Sequence, residues 1–403
     1  MTEDTAFVDP DYNYVVEDFT YYYIDSNYEA DFLYPPIANI IFSIILPIFF
    51  TIGILGNLGL LIVFVRIRTL RNSVNIYLLN VAFCDFGLLI TAGPMLWKSF
   101  LTSPVEDDYY HVGIIGCKIV LIFVETCVVV SCLTFMIVSI ERYLSICWPI
   151  RFRDIENPKR AVVFCIMLWL IVCVYRSPVL HYSYLHTVHL KWVNTTIIDP
   201  LVAPSEVAYC LICDGRPGQP TESACTKIHK MYFAEHYVLV AMMPLFVFLY
   251  SSMIVCLRSQ ISNQRHSSNE VIETKKHVVV MLLVTITVML VTIIPARILL
   301  IILALTQTQV LPKTTIITIL YISKCAMFIN ASVNPFIYIT MSTGYRNAFK
   351  RCFFPNLCLK NNLGGDDQQR LKHSKGASSV LSLNNIGKNN ICLESLANVD
   401  AIK

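Results

Sequence analysis

Seven long apolar segments constrain the folding of this chain more than any other feature of its sequence. Each is about 18 residues long or more, the length that a helix needs to cross the hydrocarbon core of a bilayer. Because lipid offers no partner to backbone N–H and C=O groups, we expect each segment to form a spanning helix. The seven spans lie near 37–65, 75–97, 114–146, 161–180, 233–257, 277–305 and 315–341.

The composition supports a membrane protein and argues against the main soluble classes. Of the 403 residues, 55% are hydrophobic and 15% are charged, whereas soluble domains carry about 25% charged residues. The net charge of +3 comes without a basic stripe with interleaved aromatic residues, so we expect no nucleic-acid partner. No constellation of catalytic residues is visible, and we expect no enzymatic activity.

Basic residues between the spans predict which side of the membrane each loop faces. Arginine and lysine residues follow spans 1, 3, 5 and 7, among them Arg66, Arg151, Lys276 and Arg346. The positive-inside rule makes these loops cytoplasmic. Residues 1–36 hold nine acidic residues, no Lys or Arg, and no apolar core of the signal-peptide type, so we expect span 1 to start insertion. The sequence therefore predicts a multi-pass plasma-membrane protein with its N-terminus outside.

The chain divides into four predicted regions. Residues 1–36 form an acidic, tyrosine-rich extracellular tail, and residues 37–343 form a seven-helix bundle. In residues 344–354, Tyr345 and Phe349 lie four positions apart with the charged residues elsewhere, which predicts a short amphipathic helix on the membrane surface. Residues 355–403 are polar and rich in Ser and Asn, which predicts a disordered cytoplasmic tail.

The long loop between spans 4 and 5 carries two further signals. Polar and apolar residues alternate in 185–193 and again in 205–213, and this pattern predicts a β-hairpin. Asn194 begins an N-glycosylation sequon on the predicted outer side. We therefore expect an all-α membrane bundle whose second outer loop forms a hairpin lid.

Short motifs occur in a fixed order along the spans. Together they resemble the rhodopsin-like (class A) G-protein-coupled receptors over about residues 37–354. The motifs are Gly56-Asn57 in span 1, Asn80 to Asp85 in span 2, Cys117 and Glu141-Arg142-Tyr143 in span 3, Trp169 and Pro178 in span 4, Pro244 in span 5, Pro295 in span 6, and Asn334-Pro335-Phe336-Ile337-Tyr338 in span 7.

The resemblance implies that the cytoplasmic end activates a heterotrimeric G protein. Arg142 would contact the G protein, Glu141 would restrain Arg142 at rest, and Ile150 would insert into the G protein. The resemblance assigns coupling and activation to Glu141, Arg142, Tyr143, Ile150, Asn334, Pro335 and Tyr338.

Two kinds of modification are expected after the amphipathic helix. Cys352 and Cys358 are juxtamembrane candidates for palmitoylation, although free cytosolic thiols are the alternative. The tail serines would bind arrestin once phosphorylated; they include Ser374, Ser378, Ser379 and Ser382.

Asp85 is an ionisable residue inside a span, a position that is costly and by default functional. In the family that this chain resembles, the equivalent residue lies in a sodium pocket. Asn57, Ser131, Asn330 and Asn334 match other polar positions of that pocket. We therefore expect no cofactor other than an allosteric Na⁺, and the alternative is a polar cluster that only joins the helices.

Most of the 15 cysteines lie within spans and are interpreted as small apolar residues. Cys117, Cys210, Cys213 and Cys225 are predicted to be extracellular, and four cysteines in an oxidising compartment favour two disulfides with three connectivities. The resemblance implies that Cys117 pairs with a cysteine of the second outer loop. Of the possible partners we favour Cys210, which leaves Cys213–Cys225 as the second pair. The spacing of Cys210, Cys213, Cys225 and His229 also suits zinc, but Cys117 would then lack a partner.

The ligand class is predicted from residues in the outer half of the bundle. Amine receptors of this family carry an Asp at the position of Val124, and opsins carry a Lys at the position of Phe328, so neither ligand class is expected. Glu125 lies about 12 Å along its helix, where a carboxylate needs a partner. The segment around it resembles receptors of the ghrelin, neuromedin U, pyrokinin and ecdysis-triggering-hormone group, where this Glu meets a basic group of the peptide or an Arg of span 6. The candidate ligand-binding residues are Glu125, Arg176, His236, Arg297 and Lys324.

We therefore predict a receptor for an extracellular neuropeptide, and the acidic tail would attract a basic peptide. One alternative is a purely structural Glu125–Arg297 pair. Another is a receptor for a small acidic or lipid ligand that uses Arg176, Arg297 and Lys324. A third is a poorly coupling chemosensory receptor, because Ile293 and Ser252 replace the family's Trp of span 6 and Tyr of span 5. A transporter or channel is the least favoured alternative, since the sequence shows no internal repeat.

Overall fold

Seven helices of the computed structural model are long and apolar enough to cross a membrane, which confirms the predicted bundle. The structure describes residues 7–8, 15–16, 21–26, 29–153, 157–199, 203–213, 222–263, 269–306 and 312–354. The spanning helices, in chain order, are α2 (Pro36–Arg66), α3 (Ser73–Thr102), α4 (Gly113–Cys147), α6 (Pro158–Tyr182), α7 (Glu222–Asn263), α8 (Asn269–Thr306) and α9 (Lys313–Met341). The short helices are α1 (Glu29–Phe32), α5 (Pro149–Arg153) and α10 (Thr343–Phe353).

The fifth and sixth spanning helices begin earlier than their hydropathy predicts. Span 5 was expected from about 233 and span 6 from about 277, whereas α7 begins at Glu222 and α8 at Asn269. Hydropathy marks only the part of a helix that meets lipid, so polar turns that continue the same helix escape it. Helix α10, which follows the seventh spanning helix, is the expected amphipathic helix, and it buries Tyr345 and Ala348.

A three-stranded sheet caps the end of the bundle that carries the N-terminal segment. Strands β4 (Ser183–Trp192) and β5 (Glu206–Ile212) pair antiparallel as the predicted hairpin. A third strand, β3 (Tyr21–Ile24), comes from the acidic tail and pairs in parallel with β4. Part of the tail is therefore built into the lid, which the sequence did not predict because its partner lies more than 160 residues away. Two further short strands, β1 (Phe7–Val8) and β2 (Val15–Val16), pair antiparallel.

Two disulfides and a small apolar core hold this lid on the bundle. Cys117, near the start of α4, is bonded to Cys210 in β5, and Cys213 after β5 is bonded to Cys225 in α7. This pairing is the one favoured in the sequence analysis, and it agrees with the bond from Cys117 to the second outer loop that the family resemblance implied. The apolar core of the lid contains Ile24, Leu33, Val105, Val188, Leu190 and Val207.

A buried carboxylate fixes the tail to the loop between the strands of the hairpin. Glu29 has no exposed surface, and its two oxygens accept hydrogen bonds from the backbone N–H groups of Thr196 and Ile197 at 2.7 Å each, and from Ile198. Burial by itself would raise the pKa of Glu29, but these hydrogen bonds outweigh it and the pKa is lowered. Hydrogen bonds to the charged form have this effect on a carboxyl group.

The lowered pKa makes the attachment of the tail depend on pH. Its contribution is complete above the pKa of Glu in the unfolded chain and is lost as the pH falls through the lower folded pKa. We expect hydrogen–deuterium exchange to show protected amides at 196–198 at neutral pH, and the protection factors to fall in strong acid. Glu29→Gln should lower them already at neutral pH, whereas Asp31→Asn on the same helix should not. Equal protection in the two variants would contradict this role of Glu29.

Candidate functional site

An open cavity of about 710 Å³ lies in the half of the bundle nearer the sheet. Its walls combine apolar side chains with two pairs of opposite charge. The lining residues are Asp107, Glu125, Val128, Thr292, Ile293, Ala296, Arg297, Leu300, Leu320, Ser323, Lys324 and Met327. Ile293 also lines a narrow crevice among apolar residues and Cys132, so it stands between the two spaces.

The wall of the open cavity continues into a chain of ionic contacts between four helices. Arg297 of α8 donates a hydrogen bond from Nη2 to Oε2 of Glu125 on α4 at 2.8 Å. Nη2 of Arg176 on α6 lies 3.8 Å from the same oxygen and donates to Glu235 of α7. The neighbouring His236 has its Nδ1 3.4 Å from Nη1 of Arg297 and 3.8 Å from Glu235. We call these five residues the ion cluster.

The members of the ion cluster differ in their access to the cavity. The side chains of Arg176 and Glu235 are 1% and 6% exposed, and that of Arg297 is 7% exposed. Glu125 is 21% exposed, which makes it the member that a ligand can reach most easily. Two carboxylates face two guanidinium groups, and buried charges are tolerated when they are paired in this way.

A local distortion of α4 helps to place Glu125 and Arg176. Residues Ile119–Val124, which directly precede Glu125, are π-helical. The backbone carbonyl of Leu121 in this stretch accepts a hydrogen bond from Nη1 of Arg176 at 3.0 Å. The guanidinium carbon also lies 5.9 Å from the ring centre of Tyr232. Short π-helical turns are frequent at functional sites, and here the turn provides an acceptor for an arginine that is buried in the bundle.

A second ion pair lies on the cavity wall and is more exposed. Nζ of Lys324 on α9 contacts the two carboxylate oxygens of Asp107 at 2.7 and 3.0 Å. The two side chains are 30% and 42% exposed. Nζ also lies 4.6 Å from the ring centre of Tyr321. An exposed pair of this kind contributes little to stability, about 0–1 kcal/mol.

The structure brings three of the five predicted ligand-binding residues to the cavity. Glu125, Arg297 and Lys324 line it, whereas Arg176 and His236 lie behind Glu125 in the ion cluster. The cations that a small acidic ligand would need, Arg176, Arg297 and Lys324, each lie against a carboxylate. The described cavity therefore does not present a surplus of positive charge.

Two functional candidates, Glu235 and Asp107, were missed by the sequence analysis. Glu235 carried the same signal as Glu125, because an ionisable side chain inside a span needs a partner. Asp107 gave no such signal, since it lies in a loop and meets Lys324 only through the fold.

The opposite end of the bundle contains the predicted coupling residues. Tyr77 donates a hydrogen bond to Glu141 at 2.7 Å, and Nη2 of Arg160 lies 3.7 Å from the same oxygen. The described contacts of Glu141 are thus with α3 and α6, and the expected restraint of Arg142 by Glu141 stays a prediction. Ile150 of α5 is 79% exposed, as insertion into a partner would require.

Aromatic hydroxyl groups connect the helices at this end. Tyr250 of α7 lies within hydrogen-bond distance of Ser139 of α4, 3.2 Å between their hydroxyl oxygens. Tyr338 is fully buried, with its ring centre 5.8 Å from that of Tyr345, and Tyr345 donates to Asn75 at 3.0 Å. Among the described residues, the hydroxyl group of Tyr338 has no hydrogen-bond partner.

The predicted sodium pocket is a buried polar cluster between α2, α3, α4 and α9. Asn334 donates from Nδ2 to Asp85 at 2.7 Å, and Asn57 donates to the carbonyl of Ala331 at 2.8 Å. In the described part of the chain, the amide oxygens of Asn57, Asn330 and Asn334 have no hydrogen-bond partner. Oxygen atoms without a donor, near a buried carboxylate, suit a hard cation such as Na⁺, so the residues present fit this ion.

The remaining predicted modification sites fall in different environments. Asn194 is exposed in the loop after β4, with φ of 53°. Cys352 of α10 is half-buried, with Sγ 4.0 Å from Nη1 of Arg66. Cys358 and the tail serines Ser374, Ser378, Ser379 and Ser382 lie outside the described residues.

One cysteine expectation is wrong. Cys256 of span 5 was interpreted as a small apolar residue, but the structure joins it by a disulfide between α7 and α4 to Cys147, which directly follows span 3 and had no predicted role. Sequence reasoning could not pair them, because the two residues are separated by 109 positions and meet only when α4 packs on α7.

Comparisons with known proteins agree with this geometry. Residues 56–338 match the family described as 7 transmembrane receptor (rhodopsin family). The chain is 30% identical to galanin receptor 2b of Danio rerio over 146 residues, which are 36% of this chain and 37% of that receptor. It is 23% identical to a bombesin receptor of Bombina orientalis over 90% of this chain and 87% of that receptor. It is also 23% identical to the allatostatin-A receptor of Bombyx mori, over 81% and 84% of the two chains.

The two ion pairs predict losses of stability of different size on mutation. Glu235→Gln weakens the compensation of a buried arginine, and removing one partner of a buried pair costs about 3 kcal/mol. Asp107→Asn removes one partner of an exposed pair and should cost less than about 1 kcal/mol. We expect the midpoint of thermal unfolding in detergent to fall clearly for Glu235→Gln and little for Asp107→Asn.

A double variant provides the control for this prediction. Replacing both charges of the buried pair, as in Arg176→Met with Glu235→Leu, should recover part of the stability that Glu235→Gln loses. Equal midpoints for Glu235→Gln and Asp107→Asn would show that the ion cluster does not stabilise the bundle.

Proposed function

Because the chain belongs to the rhodopsin family of seven-transmembrane receptors, we propose that it binds an extracellular peptide and activates a heterotrimeric G protein. This family consists of receptors and not of enzymes, and its members are multi-pass proteins of the plasma membrane. The relatives named above are receptors for galanin, bombesin and allatostatin-A, which supports a peptide as the ligand. The galanin receptor match covers only about a third of that receptor, so the ligand class is proposed and not transferred.

The observation that carries the proposal is the shared carboxylate of Glu125. It faces the open cavity, and its bond to Arg297 is a link between α4 and α8. A basic group of a peptide that binds Glu125 competes with Arg297 for the carboxylate and weakens this link. A ligand shifts a receptor only when it binds one state better than the other. Competition for Glu125 provides that difference, because the contact with the ligand forms as the contact between the helices is lost.

The orientation of the chain in the membrane follows from the position of the lid and of the basic loops. We propose that the N-terminus and the sheet β3-β4-β5 lie outside the cell and that the basic loops lie inside, as the positive-inside rule predicts. The acidic tail then lies outside the cell and attracts basic peptides over distances of about 8–10 Å in salt. Glycosylation of Asn194 fits this orientation, because its side chain is exposed on the lid side.

The inner end then carries the contacts with intracellular partners. Arg142, Tyr143 and Ile150 form the proposed G-protein contact. Asn334, Pro335 and Tyr338 belong to the proposed switch. The buried hydroxyl of Tyr338, which has no hydrogen-bond partner among the described residues, gains one if the inner end rearranges. Arrestin is proposed to bind the phosphorylated tail, and Cys352 and Cys358 are the proposed palmitoylation sites.

We propose that Asp85, Ser131, Asn330 and Asn334 hold Na⁺ as an allosteric ion. Bound Na⁺ supplies a positive charge that compensates the buried carboxylate of Asp85. The side chains of Asn330 and Asn334 contribute amide oxygens that hydrogen bonds leave free in the described contacts. Since Asp85 lies on α3 and Asn334 on α9, the ion holds these two helices in the resting arrangement.

The ligand role of Glu125 is tested with peptides on cells that express the chain. A library of short peptides, each as amide and as free acid, is screened for G-protein activation. We expect a potent, saturable response to a basic peptide. Glu125→Gln should reduce its potency about 10-fold or more at equal surface expression, because a charge-assisted hydrogen bond contributes about 1.5–3 kcal/mol.

Two controls separate ligand binding from folding. Glu222→Gln makes the same chemical change at an exposed site outside the cavity and should not alter potency. Glu125→Gln with Arg297→Gln removes both charges of the pair and should restore expression if the single variant folds poorly. Unchanged potency in Glu125→Gln contradicts the proposal. A response to carboxylate ligands that is lost with Arg297 and Lys324, but not with Glu125, favours the small-acid receptor.

The sodium proposal predicts an ion-specific stabilisation. The purified receptor should unfold at a higher temperature in sodium chloride than in choline chloride of equal ionic strength, because an ion that binds only the folded state stabilises it. Asp85→Asn should abolish this difference, whereas Asp107→Asn should leave it intact. A sodium effect of the same size in Asp85→Asn would show that Na⁺ does not bind at this cluster.

A further inference from the structure

The inner ends of α4 and α7 carry a pair of cysteines that none of the roles above uses. Cys147 is the last residue of α4, five positions after Arg142, and Cys256 lies on the facing side of α7. Their Cα atoms are 5.6 Å apart and the structure joins their sulfur atoms. This separation is typical of disulfides, so the two helices meet at a distance that allows the bond without rearrangement of the backbone.

A neighbouring contact keeps the two cysteines together independently of the bond. Gln260, one turn beyond Cys256 on α7, donates a hydrogen bond from Nε2 to the carbonyl of Ile146 at 2.7 Å. Ile146 directly precedes Cys147. The packing of α4 on α7 therefore fixes the approach of the two side chains, and the reduced thiols stay within reach of each other.

Both cysteines are also partly exposed at the surface of the bundle. Cys147 and Cys256 are half-buried, whereas other cysteines of the bundle, such as Cys84 and Cys127, are buried. Oxidation of a thiol depends on its exposure and on its thiolate character. The pair at the inner end is thus more accessible than the buried thiols Cys84 and Cys127, which serve as an internal comparison.

The compartment decides what such a pair does. In the orientation proposed above, Cys147 and Cys256 lie at the cytosolic end, away from the lid disulfides Cys117–Cys210 and Cys213–Cys225. Cytosolic glutathione and thioredoxin keep thiols reduced, and disulfides that form there are mostly transient and redox-sensing. A pair that the fold holds at bonding distance can therefore alternate between dithiol and disulfide.

We propose that Cys147 and Cys256 form a reversible oxidation site that tethers α4 to α7 beside the G-protein contact. The oxidant is hydrogen peroxide: one thiolate attacks its O–O bond and becomes a sulfenic acid, with release of water. The second thiolate attacks the sulfenic sulfur, the S–S bond forms, and a second water leaves, so two thiols and one peroxide give one disulfide and two waters. Two molecules of glutathione reduce the bond and leave as glutathione disulfide.

The position of the site predicts its effect. Cys147 lies between Arg142 and Ile150, which are proposed to contact the G protein, and the bond fixes this segment to α7. States in which the inner ends of α4 and α7 move apart become inaccessible, and a ligand can select only among accessible states. The oxidised receptor should therefore activate the G protein less than the reduced receptor. This part of the inference rests on the proposed function.

The oxidation site is tested on the full chain in lipid nanodiscs. The receptor is treated with hydrogen peroxide or with reduced glutathione, alkylated, and digested without reduction. We expect a linked peptide containing Cys147 and Cys256 after peroxide, its loss in glutathione, and no link between Cys84 and Cys127. The oxidised receptor should also unfold about 5 °C or more above the reduced receptor, and Cys147→Ser or Cys256→Ser should abolish this shift.

Absence of the linked peptide after peroxide overturns the proposal, and so does a link that resists millimolar glutathione. Peroxide should also lower nucleotide exchange on the G protein, with the peptide identified by the screen, in the wild type but not in Cys256→Ser. Equal exchange by oxidised and reduced receptor overturns the regulatory effect. Absence of nucleotide exchange with both the oxidised and the reduced receptor contradicts the proposed function. The linked peptide still tests whether Cys147 and Cys256 form a disulfide.

Discussion

A polar group inside a bilayer finds no water, so this structure depends on pairing its buried charges within the protein. The ion cluster is the main consequence. Arg176 is almost fully buried and is matched at the same time by Glu235, by the carbonyl of Leu121 and, at longer range, by Glu125. Leu121 and Glu125 belong to α4 and Glu235 belongs to α7, so the contacts that compensate one buried guanidinium group join α6 to these two helices. Glu125 shares its charge between this arginine and Arg297, and it is the member that faces the cavity.

Different interactions stabilise the two ends of the bundle. The lid end uses covalent bonds and a sheet, with Cys117–Cys210, Cys213–Cys225 and the carboxylate of Glu29 holding the tail and hairpin. The inner end relies mostly on polar contacts between side chains, which break and re-form at low cost. The Cys147–Cys256 bond is the exception at that end, and its location beside the proposed G-protein contact makes it a natural point of control.

Much of the fold could be predicted from the sequence, because the signals are local. The length of each apolar segment predicted the seven spanning helices, and the alternation of polar and apolar residues predicted the hairpin of β4 and β5. The amphipathic pattern around Tyr345 predicted α10. Extensions of α7 and α8 escaped prediction, since their first turns are polar. The strand β3 was not predicted either, because no pattern in its four residues indicates that they pair with β4.

The sequence by itself determined which residues carry chemistry in the membrane: Glu125, Asp85 and Arg297 stand out because ionisable side chains in apolar spans are expensive. Only the tertiary structure decided their partners. It placed Arg297 on Glu125, added Glu235 behind them, set Asp107 against Lys324, and joined Cys147 to Cys256. The physical reason is that hydropathy is a property of one segment, whereas a charge pair or a disulfide forms between side chains whose distance is set by helix packing.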